Sequence, residues 1–263
     1  MILRGNIFSQ SLMMDTGITI LTPGNIGEGG PCAVTYLLHG VCGCNSNVID
    51  YTMFMAHAAG YPSIFVMPDA HRSFYADMVY GQKFFTYIAE ELPEICKSTF
   101  HISSRPADTY VMGISMGGYG ALKCALAYPG RYAACCALSP GSLYLKDFLA
   151  EMREHDRHGA PLSPWGAMLI DDFRAICGHD FTWTPEIELL ELARRIPSPT
   201  NAPRFYATCG DGDDLAGLNR QFARDMQELS FDYTYEEAPG SHDWYFFDGA
   251  LKRALDFAFP QED

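Results

Sequence analysis

A serine between glycines stands where a strand-forming run gives way to a helix-forming run. The stretch G-I-S-M-G, residues 113–117, follows the predicted strand 109–114 and opens the predicted helix 116–127. In that context G-x-S-x-G is typical of a nucleophile elbow, a sharp turn that projects the serine hydroxyl beyond the carboxyl end of a sheet. We therefore predict that Ser115 is a nucleophile; the alternative is a glycine-rich turn with an incidental serine.

A serine hydroxyl becomes a good nucleophile when a histidine takes its proton and a carboxylate orients that histidine. In a fold with this elbow the acid and then the histidine follow the serine along the chain, each after a later strand. The predicted strand 231–238 is followed by His242, the only histidine after residue 179. His242 is therefore the predicted base, and the alternative is a loop histidine that caps the last helix.

The acid has three neighbouring candidates. The predicted strand 204–210 is followed by D-G-D-D, which offers Asp211, Asp213 and Asp214. We select Asp213 as the residue that orients the histidine. The other two are interpreted as solvated loop acids or helix N-caps, although the roles of the three could be exchanged.

The oxyanion of an acyl-transfer intermediate needs hydrogen-bond donors. One predicted donor is the backbone N–H of Met116, which lies at a helix N-terminus. The second donor is expected in the loop after an early strand. The run Y-L-L-H-G, residues 36–40, ends such a strand, so the N–H of Val41 is the candidate. His39 in that run is interpreted as a buried histidine bonded to the backbone.

Strand-forming and helix-forming segments alternate along the chain and would position these residues. The predicted strands are 17–21, 32–40, 63–69, 109–114, 132–139, 204–210 and 231–238, and the predicted helices are 48–60, 81–100 with an interruption near Pro93, 116–127, 215–229 and 244–258. This alternation predicts an α/β fold, in which a mostly parallel sheet carries helices on both faces. We expect one domain over 1–263, with the irregular segment 141–200 and its short helix at 185–195 as a cap-like insertion.

Composition narrows the class of protein. The 263 residues carry 18 Lys and Arg against 32 Asp and Glu, a formal net charge of −14, and no basic cluster, so nucleic-acid binding is not expected. Residues 1–15 lack the apolar core of a signal peptide, and no apolar run approaches the ~20 residues of a membrane span. The nine irregularly spaced cysteines are interpreted as reduced thiols, which predicts a cytoplasmic protein without membrane attachment.

Three residues near the predicted chemistry are expected to contact substrate: Cys44, Tyr119 and Trp244. No cofactor and no metal are expected, because Cys42 and Cys44 have no second Cys or His pair at the spacing of a structural zinc site. Trp165 is a candidate for a pocket wall, although packing in the core is the favoured role for it.

The chain resembles the esterase D / tributyrin esterase group of α/β-hydrolases, which includes S-formylglutathione hydrolases and feruloyl and acetylxylan esterases. The similar stretches are the nucleophile motif 113–126, the oxyanion strand 36–40, the histidine motif 239–244, the first strands 8–23, and the segments 67–81 and 84–103. The resemblance covers most of the chain and is weakest over 141–200. The sequence V-C-G-C-N after His-Gly departs from the group's usual loop, which disfavours a glutathione thioester as substrate.

The resemblance implies an α/β-hydrolase fold with Ser115 as nucleophile, His242 as base and the N–H groups of Val41 and Met116 as oxyanion hole. It also selects Asp213 among the three aspartates. The predicted function is that of a serine carboxylesterase, which hydrolyses short-chain acyl esters through an acyl-enzyme. The acyl length rests on the resemblance alone.

Other functions stay open from the sequence. The first alternative is a feruloyl or acetylxylan esterase that acts on esters derived from plant polysaccharides. An acyltransferase and a non-catalytic binding protein of the same fold are the others. The expected partner is a small-molecule ester, and a homo-oligomer is compatible with the sequence.

Overall fold

The computed structural model describes residues 1–24, 30–159 and 163–260. Eight strands form one sheet in the order β1-β2-β4-β3-β5-β6-β7-β8. The strands are β1 (Ile2–Ser9), β2 (Met14–Leu21), β3 (Ala33–Leu38), β4 (Ser63–Pro68), β5 (Thr109–Ile114), β6 (Ala134–Leu138), β7 (Arg204–Gly210) and β8 (Tyr233–Ala238). β1 and β2 run antiparallel to their neighbours, and all pairings from β4 to β8 are parallel. The predicted α/β fold with a mostly parallel sheet is confirmed.

Helices follow most of the parallel strands. They are α1 (Asn47–Tyr51), α2 (Phe54–Ala58), α3 (Phe84–Thr86), α4 (Leu92–Thr99), α5 (Met116–Ala127), α6 (Leu145–His158), α7 (Pro164–Cys177), α8 (Leu189–Arg194), α9 (Ala216–Glu228) and α10 (Trp244–Ala258). No helix among the described residues is long and apolar enough to span a membrane.

The two faces of the sheet carry separate apolar cores. Side chains alternate between the faces along a strand, and in β5 Val111 belongs to one core while Met112 and Ile114 belong to the other. Helices α5, α8 and α9 pack on the first face, and α2 and α10 pack on the second. The helices therefore cover both faces, as predicted.

The register brings the ends of the central strands to one level. Leu38 of β3 pairs with Gly113 of β5, which in turn pairs with Ala137 of β6. Since these strands are parallel, the loops after them leave the same edge of the sheet. The oxyanion loop after β3 and the serine turn after β5 are thereby neighbours.

Two predicted helices differ from the structure in detail. The predicted helix 48–60 is two short helices, α1 and α2. The predicted interruption near Pro93 is a π-helical turn, Tyr87–Glu91, inside a helical segment that continues from α3 to α4. Pro93 has no N–H to donate to the carbonyl of Ala89, and the guanidinium of Arg131 donates to that carbonyl.

The segment 141–200 is more regular than its sequence suggests. It contains two helices of 14 residues, α6 and α7, besides the predicted short helix near 185–195, which is α8. Gly159 follows α6 with a φ of +60°, and residues 160–162 of this segment lie outside the described residues. The strand β1 was not predicted from the alternation pattern, because most of its side chains are exposed on the edge of the sheet.

Candidate active site

The turn at Ser115 has little room for side chains. Ser115 has φ +56° and ψ −117°, outside the common regions for residues other than glycine. A Cβ at Gly113 would lie 2.0 Å from the carbonyl oxygen of Gly117, and a Cβ at Gly117 would lie 2.1 Å from that of Leu38. Both glycines are therefore required for strand β3, the turn and helix α5 to approach this closely. Strained backbone of this kind is concentrated at functional sites.

Three predicted residues form one chain of hydrogen bonds. His242 Nε2 lies 2.9 Å from Ser115 Oγ, and His242 Nδ1 lies 2.7 Å from Asp213 Oδ2. The carboxylate only accepts hydrogen bonds, so Nδ1 carries the imidazole proton and Nε2 is left to accept the serine proton. This arrangement can activate the serine hydroxyl as a nucleophile.

Among the three candidate aspartates, Asp213 alone bonds to the histidine. Its side chain is 1% exposed, and its Oδ1 accepts the N–H of Leu215 at 2.9 Å. Burial acts to raise its pKa, but the hydrogen bonds from His242 and Leu215 outweigh burial and hold the pKa below its usual value. Asp211 instead accepts a hydrogen bond from the N–H of Gly240. Asp214 is exposed and lines a cavity beside Ser115.

The loop after β3 is fixed around one carbonyl. The oxygen of Gly40 accepts the N–H of Gly43 at 2.9 Å and lies 2.7 Å from His39 Nδ1. His39 Nε2 accepts the N–H of Ala70 at 2.9 Å, so the proton of this buried imidazole lies on Nδ1 and is donated to Gly40. The expectation of a histidine bonded to the backbone agrees with these contacts.

The two expected oxyanion donors border the same cavity as Ser115. Val41 and Met116 both line it. Within the described residues the N–H of Val41 has no acceptor, and Met116 is the first residue of α5, where a helix leaves its N–H groups unpaired. The two N–H groups are thus available to a carbonyl oxygen bound beside the serine.

A model of the protein family described as putative esterase matches residues 9–258. The chain belongs to this esterase family. An acetyl esterase of Caldicellulosiruptor saccharolyticus is 25% identical over 271 residues, which cover 97% of each chain. The fluorophosphonate-binding serine hydrolase FphF of Staphylococcus aureus, solved with substrate bound, superposes with a TM-score of 0.83 at 24% identity and 98% coverage of both chains. A ferulic acid esterase superposes with a TM-score of 0.77 at 21% identity over 98% of this chain and 96% of its own.

These similarities establish the class of the protein. It is an esterase with an α/β-hydrolase fold, within the esterase D-like group. The predicted family and fold are confirmed. Within the described residues of the esterase, no group of three or more His, Cys, Asp or Glu side chains could hold a metal ion. The absence of a cofactor stays a prediction.

The cavity beside Ser115 has a volume of about 690 Å³ and mixed walls. Apolar side chains from α6, α7 and α9 form much of it, among them Phe148, Trp165, Leu169 and Leu218. The charged side chains along it are all acidic: Asp147, Glu151, Asp213 and Asp214. The wall of this cavity is therefore apolar and anionic.

The sequence did not locate these walls. Trp165, for which core packing was favoured over a place in a pocket wall, is 51% exposed and lines the cavity. Phe148, Asp147 and Glu151 were not predicted either. The one feature of the sequence that could have indicated them is the amphipathic pattern of α6. In that helix Leu149 and its buried neighbours face the core, and the cavity residues lie beside them.

The three residues expected to contact substrate, Cys44, Tyr119 and Trp244, do not line this cavity. Tyr119 is buried and its hydroxyl donates to the carbonyl of Ile187 at 2.7 Å. Trp244 begins α10 and packs on the rings of Tyr51 and Phe247, with centroids 5.2 and 5.9 Å away. Cys44 lies in the turn before α1, and neither it nor the other two lines the cavity. Closeness in sequence to a catalytic residue does not determine the direction of a side chain.

Proposed function

We propose that this esterase hydrolyses carboxylic esters through an acyl-enzyme formed on Ser115. The observation that carries the proposal is the chain of hydrogen bonds from Ser115 through His242 to Asp213, which opens into a cavity that Val41 and Met116 also line. The proposal also includes the roles of nucleophile, base and orienting acid for these three residues.

The reaction follows from the protonation states. His242 Nε2 takes the proton of Ser115 Oγ, and Oγ attacks the carbonyl carbon of the ester. The negatively charged oxygen that forms accepts hydrogen bonds from the N–H groups of Val41 and Met116. His242 then gives its proton to the alkoxy oxygen, and the alcohol leaves. A water molecule, deprotonated by the same nitrogen, then attacks the acyl carbon. His242 gives this proton to Ser115 Oγ as the bond from Oγ to the acyl carbon breaks, which releases the carboxylic acid and regenerates Ser115.

We further propose that the acyl group is short. The support is the sequence resemblance to short-acyl esterases and the similarity to an acetyl esterase along 97% of the chain. The competing candidate is a feruloyl or related aromatic ester. The similarity to a ferulic acid esterase and the aromatic side chains of Phe148 and Trp165 in the cavity favour it.

The cap-like role of 141–200 within a single domain is also part of the proposal. Its support is that α6 and α7 supply Phe148, Glu151, Trp165 and Leu169 to the cavity. The cytoplasmic location and the homo-oligomer stay predictions.

A fluorophosphonate probe and four esters test the function. We expect the folded wild-type protein to be labelled on the peptide that contains Ser115, and kcat/KM to be highest for acetyl or butyryl among acetyl, butyryl, octanoyl and feruloyl esters. Ser115→Ala should abolish labelling and lower kcat by at least about 10³-fold, with an unchanged Tm. A folded wild-type protein that neither labels nor hydrolyses any of the four would reject the proposal. A maximum at octanoyl or feruloyl would reject the short acyl group alone.

A further inference from the structure

Tyr75 is a buried residue in an unusual backbone conformation. It lies in the loop between β4 and α3, its side chain has 0% exposure, and its φ is +49°. His71 and Phe74 in the same loop also have positive φ values, +47° and +46°. A bulky residue rarely adopts this conformation unless its surroundings impose it. The contacts that hold Tyr75 therefore point to its role.

Tyr75 is held against the helix that begins after the serine. Its carbonyl accepts Lys123 Nζ at 3.0 Å, and Lys123 is itself buried in α5. Its ring lies over Gly120 of the same helix, where a Cβ would come within 2.4 Å of the ring. Ser73 Oγ accepts the backbone N–H of Tyr75 at 3.1 Å. The phenol ring is thus fixed relative to α5.

The other end of Tyr75 contacts the oxyanion loop. Its hydroxyl donates to the carbonyl oxygen of His39 at 2.9 Å, and the bond is buried. The next peptide joins Gly40 to Val41, and its oxygen is held by the Gly43 N–H and His39 Nδ1. Since a trans peptide directs its N–H opposite to its C=O, holding the Gly40 oxygen inside the loop directs the Val41 N–H outward.

The loop leaves little space for another arrangement. A Cβ at Gly43 would lie 2.8 Å from Asn47 Oδ1, 3.1 Å from the Gly40 oxygen and 3.3 Å from His39 Nδ1. The turn therefore closes directly over the bond from His39 to Gly40. Tyr75 and His39 together hold two successive peptides, the one before Gly40 and the one before Val41.

The two donors of the oxyanion hole come from different elements. Met116 belongs to α5, and Val41 belongs to the loop after β3. We propose that Tyr75 is a positioning residue that joins these elements and keeps the Val41 N–H directed at the oxyanion that Met116 also binds. The role rests on the proposed function of the site and adds to it a residue that touches neither substrate nor the serine.

A matched pair of substitutions tests this role. Tyr75→Phe and Tyr119→Phe each remove one buried hydroxyl that donates to a backbone carbonyl, that of His39 or that of Ile187. Neither side chain lines the cavity, and the hydroxyl of Tyr75 bonds to the oxyanion loop whereas that of Tyr119 bonds to Ile187. We expect kcat to fall about tenfold or more in Tyr75→Phe with little change in KM, because a donor is misplaced in the transition state. Tyr119→Phe should keep kcat within about twofold at a similar loss in Tm.

Binding of an alkylboronic acid separates positioning from a general loss of stability. The boronate forms a tetrahedral adduct with the serine and places an oxygen in the oxyanion hole. Its affinity should fall in parallel with kcat in Tyr75→Phe and not in Tyr119→Phe. Equal kcat in the two variants, or a lower kcat in Tyr75→Phe with unchanged boronate affinity, overturns the role of Tyr75. If the wild-type protein has no esterase activity and is not labelled by the fluorophosphonate probe, the proposed function itself is refuted.

A second pair covers the case in which Tyr75→Phe does not fold. In His39→Asn an amide N–H can occupy the position of Nδ1 and still donate to Gly40, whereas His39→Gln places its amide near the position of Nε2. We expect the asparagine variant to retain at least several-fold more kcat than the glutamine variant. The reverse order would show that Val41 is not held through Gly40 and would overturn the inference.

Discussion

At the scale of single residues, Asp213 differs from Asp211 and Asp214 in its surroundings. All three have the same side chain, but Asp213 is buried beside His242 and accepts two hydrogen bonds. These bonds keep its pKa below the usual value, so the carboxylate stays charged when the imidazole becomes charged. An amide at this position would favour the wrong imidazole tautomer.

The three aspartates can be compared by the same substitution. We expect Asp213→Asn to lower kcat by about 10³- to 10⁴-fold, because the asparagine no longer holds the proton on Nδ1 of His242. Asp211→Asn and Asp214→Asn should each stay within about threefold of the wild type. The measurement is kcat for a butyryl ester, with Tm as a check on folding. If Asp213→Asn keeps most activity while a neighbour loses it, the acid has been assigned to the wrong residue.

At the scale of elements, the serine turn depends on close contact between β3, β5 and α5. The Ser115 N–H donates to the carbonyl of Leu138 in β6 at 2.8 Å, so the turn is bonded to a third strand. Backbone atoms, not flexible side chains, occupy the space that a Cβ at Gly117 would need. These contacts make the position of the nucleophile a property of the sheet and the helix together.

A single methyl group tests this packing. Gly117→Ala should lower Tm by several degrees and reduce kcat, because β3 and α5 must separate to admit the methyl group. Gly130→Ala is the control, since a Cβ at Gly130 meets no atom within 4 Å. We expect the control to keep both Tm and kcat. An alanine at 117 with wild-type Tm and kcat would contradict the tight packing at the turn.

At the scale of the whole molecule, both the chain and its cavity carry negative charge. The chain has a formal net charge of −14, and its described cavity is lined by Asp147, Glu151 and Asp214 besides the buried Asp213. No Lys or Arg side chain lines the described cavity. Negative potential of this kind attracts cationic substrates and repels anionic ones, over a distance of about 8 Å at physiological salt.

Two esters of equal shape and different charge test whether the negative potential of the cavity selects substrates by charge. We expect butyrylcholine to have a kcat/KM about three- to tenfold above that of its neutral isostere, 3,3-dimethylbutyl butyrate, and the ratio to shrink at high salt. Glu151→Lys should lower the ratio toward one. Glu228→Lys makes the same change in net charge outside the cavity and should leave the ratio nearly unaltered. A ratio of one in the wild type at low salt would show that the carboxylates do not select substrate charge.

The sequence by itself determined the class of fold and two members of the hydrogen-bonded chain, Ser115 and His242. Alternating apolar strands and helices predicted the parallel sheet, and glycines at fixed spacing around Ser115 predicted its turn. His242 followed from its place after the last strand. These features can be predicted from the sequence because they depend on residues close together in the chain. They are the period of a strand, the flexibility of glycine and the order of the elements.

The tertiary structure decided what depends on side-chain direction across the chain. The residues alone left Asp211, Asp213 and Asp214 open, and the resemblance to a family chose among them; the structure shows which one reaches His242. Packing also turned Trp244 and Tyr119 away from the cavity and brought Trp165 to it. Tyr75 and His39 are 36 positions apart, and their contact exists only because the loops after β3 and β4 leave the same edge of the sheet.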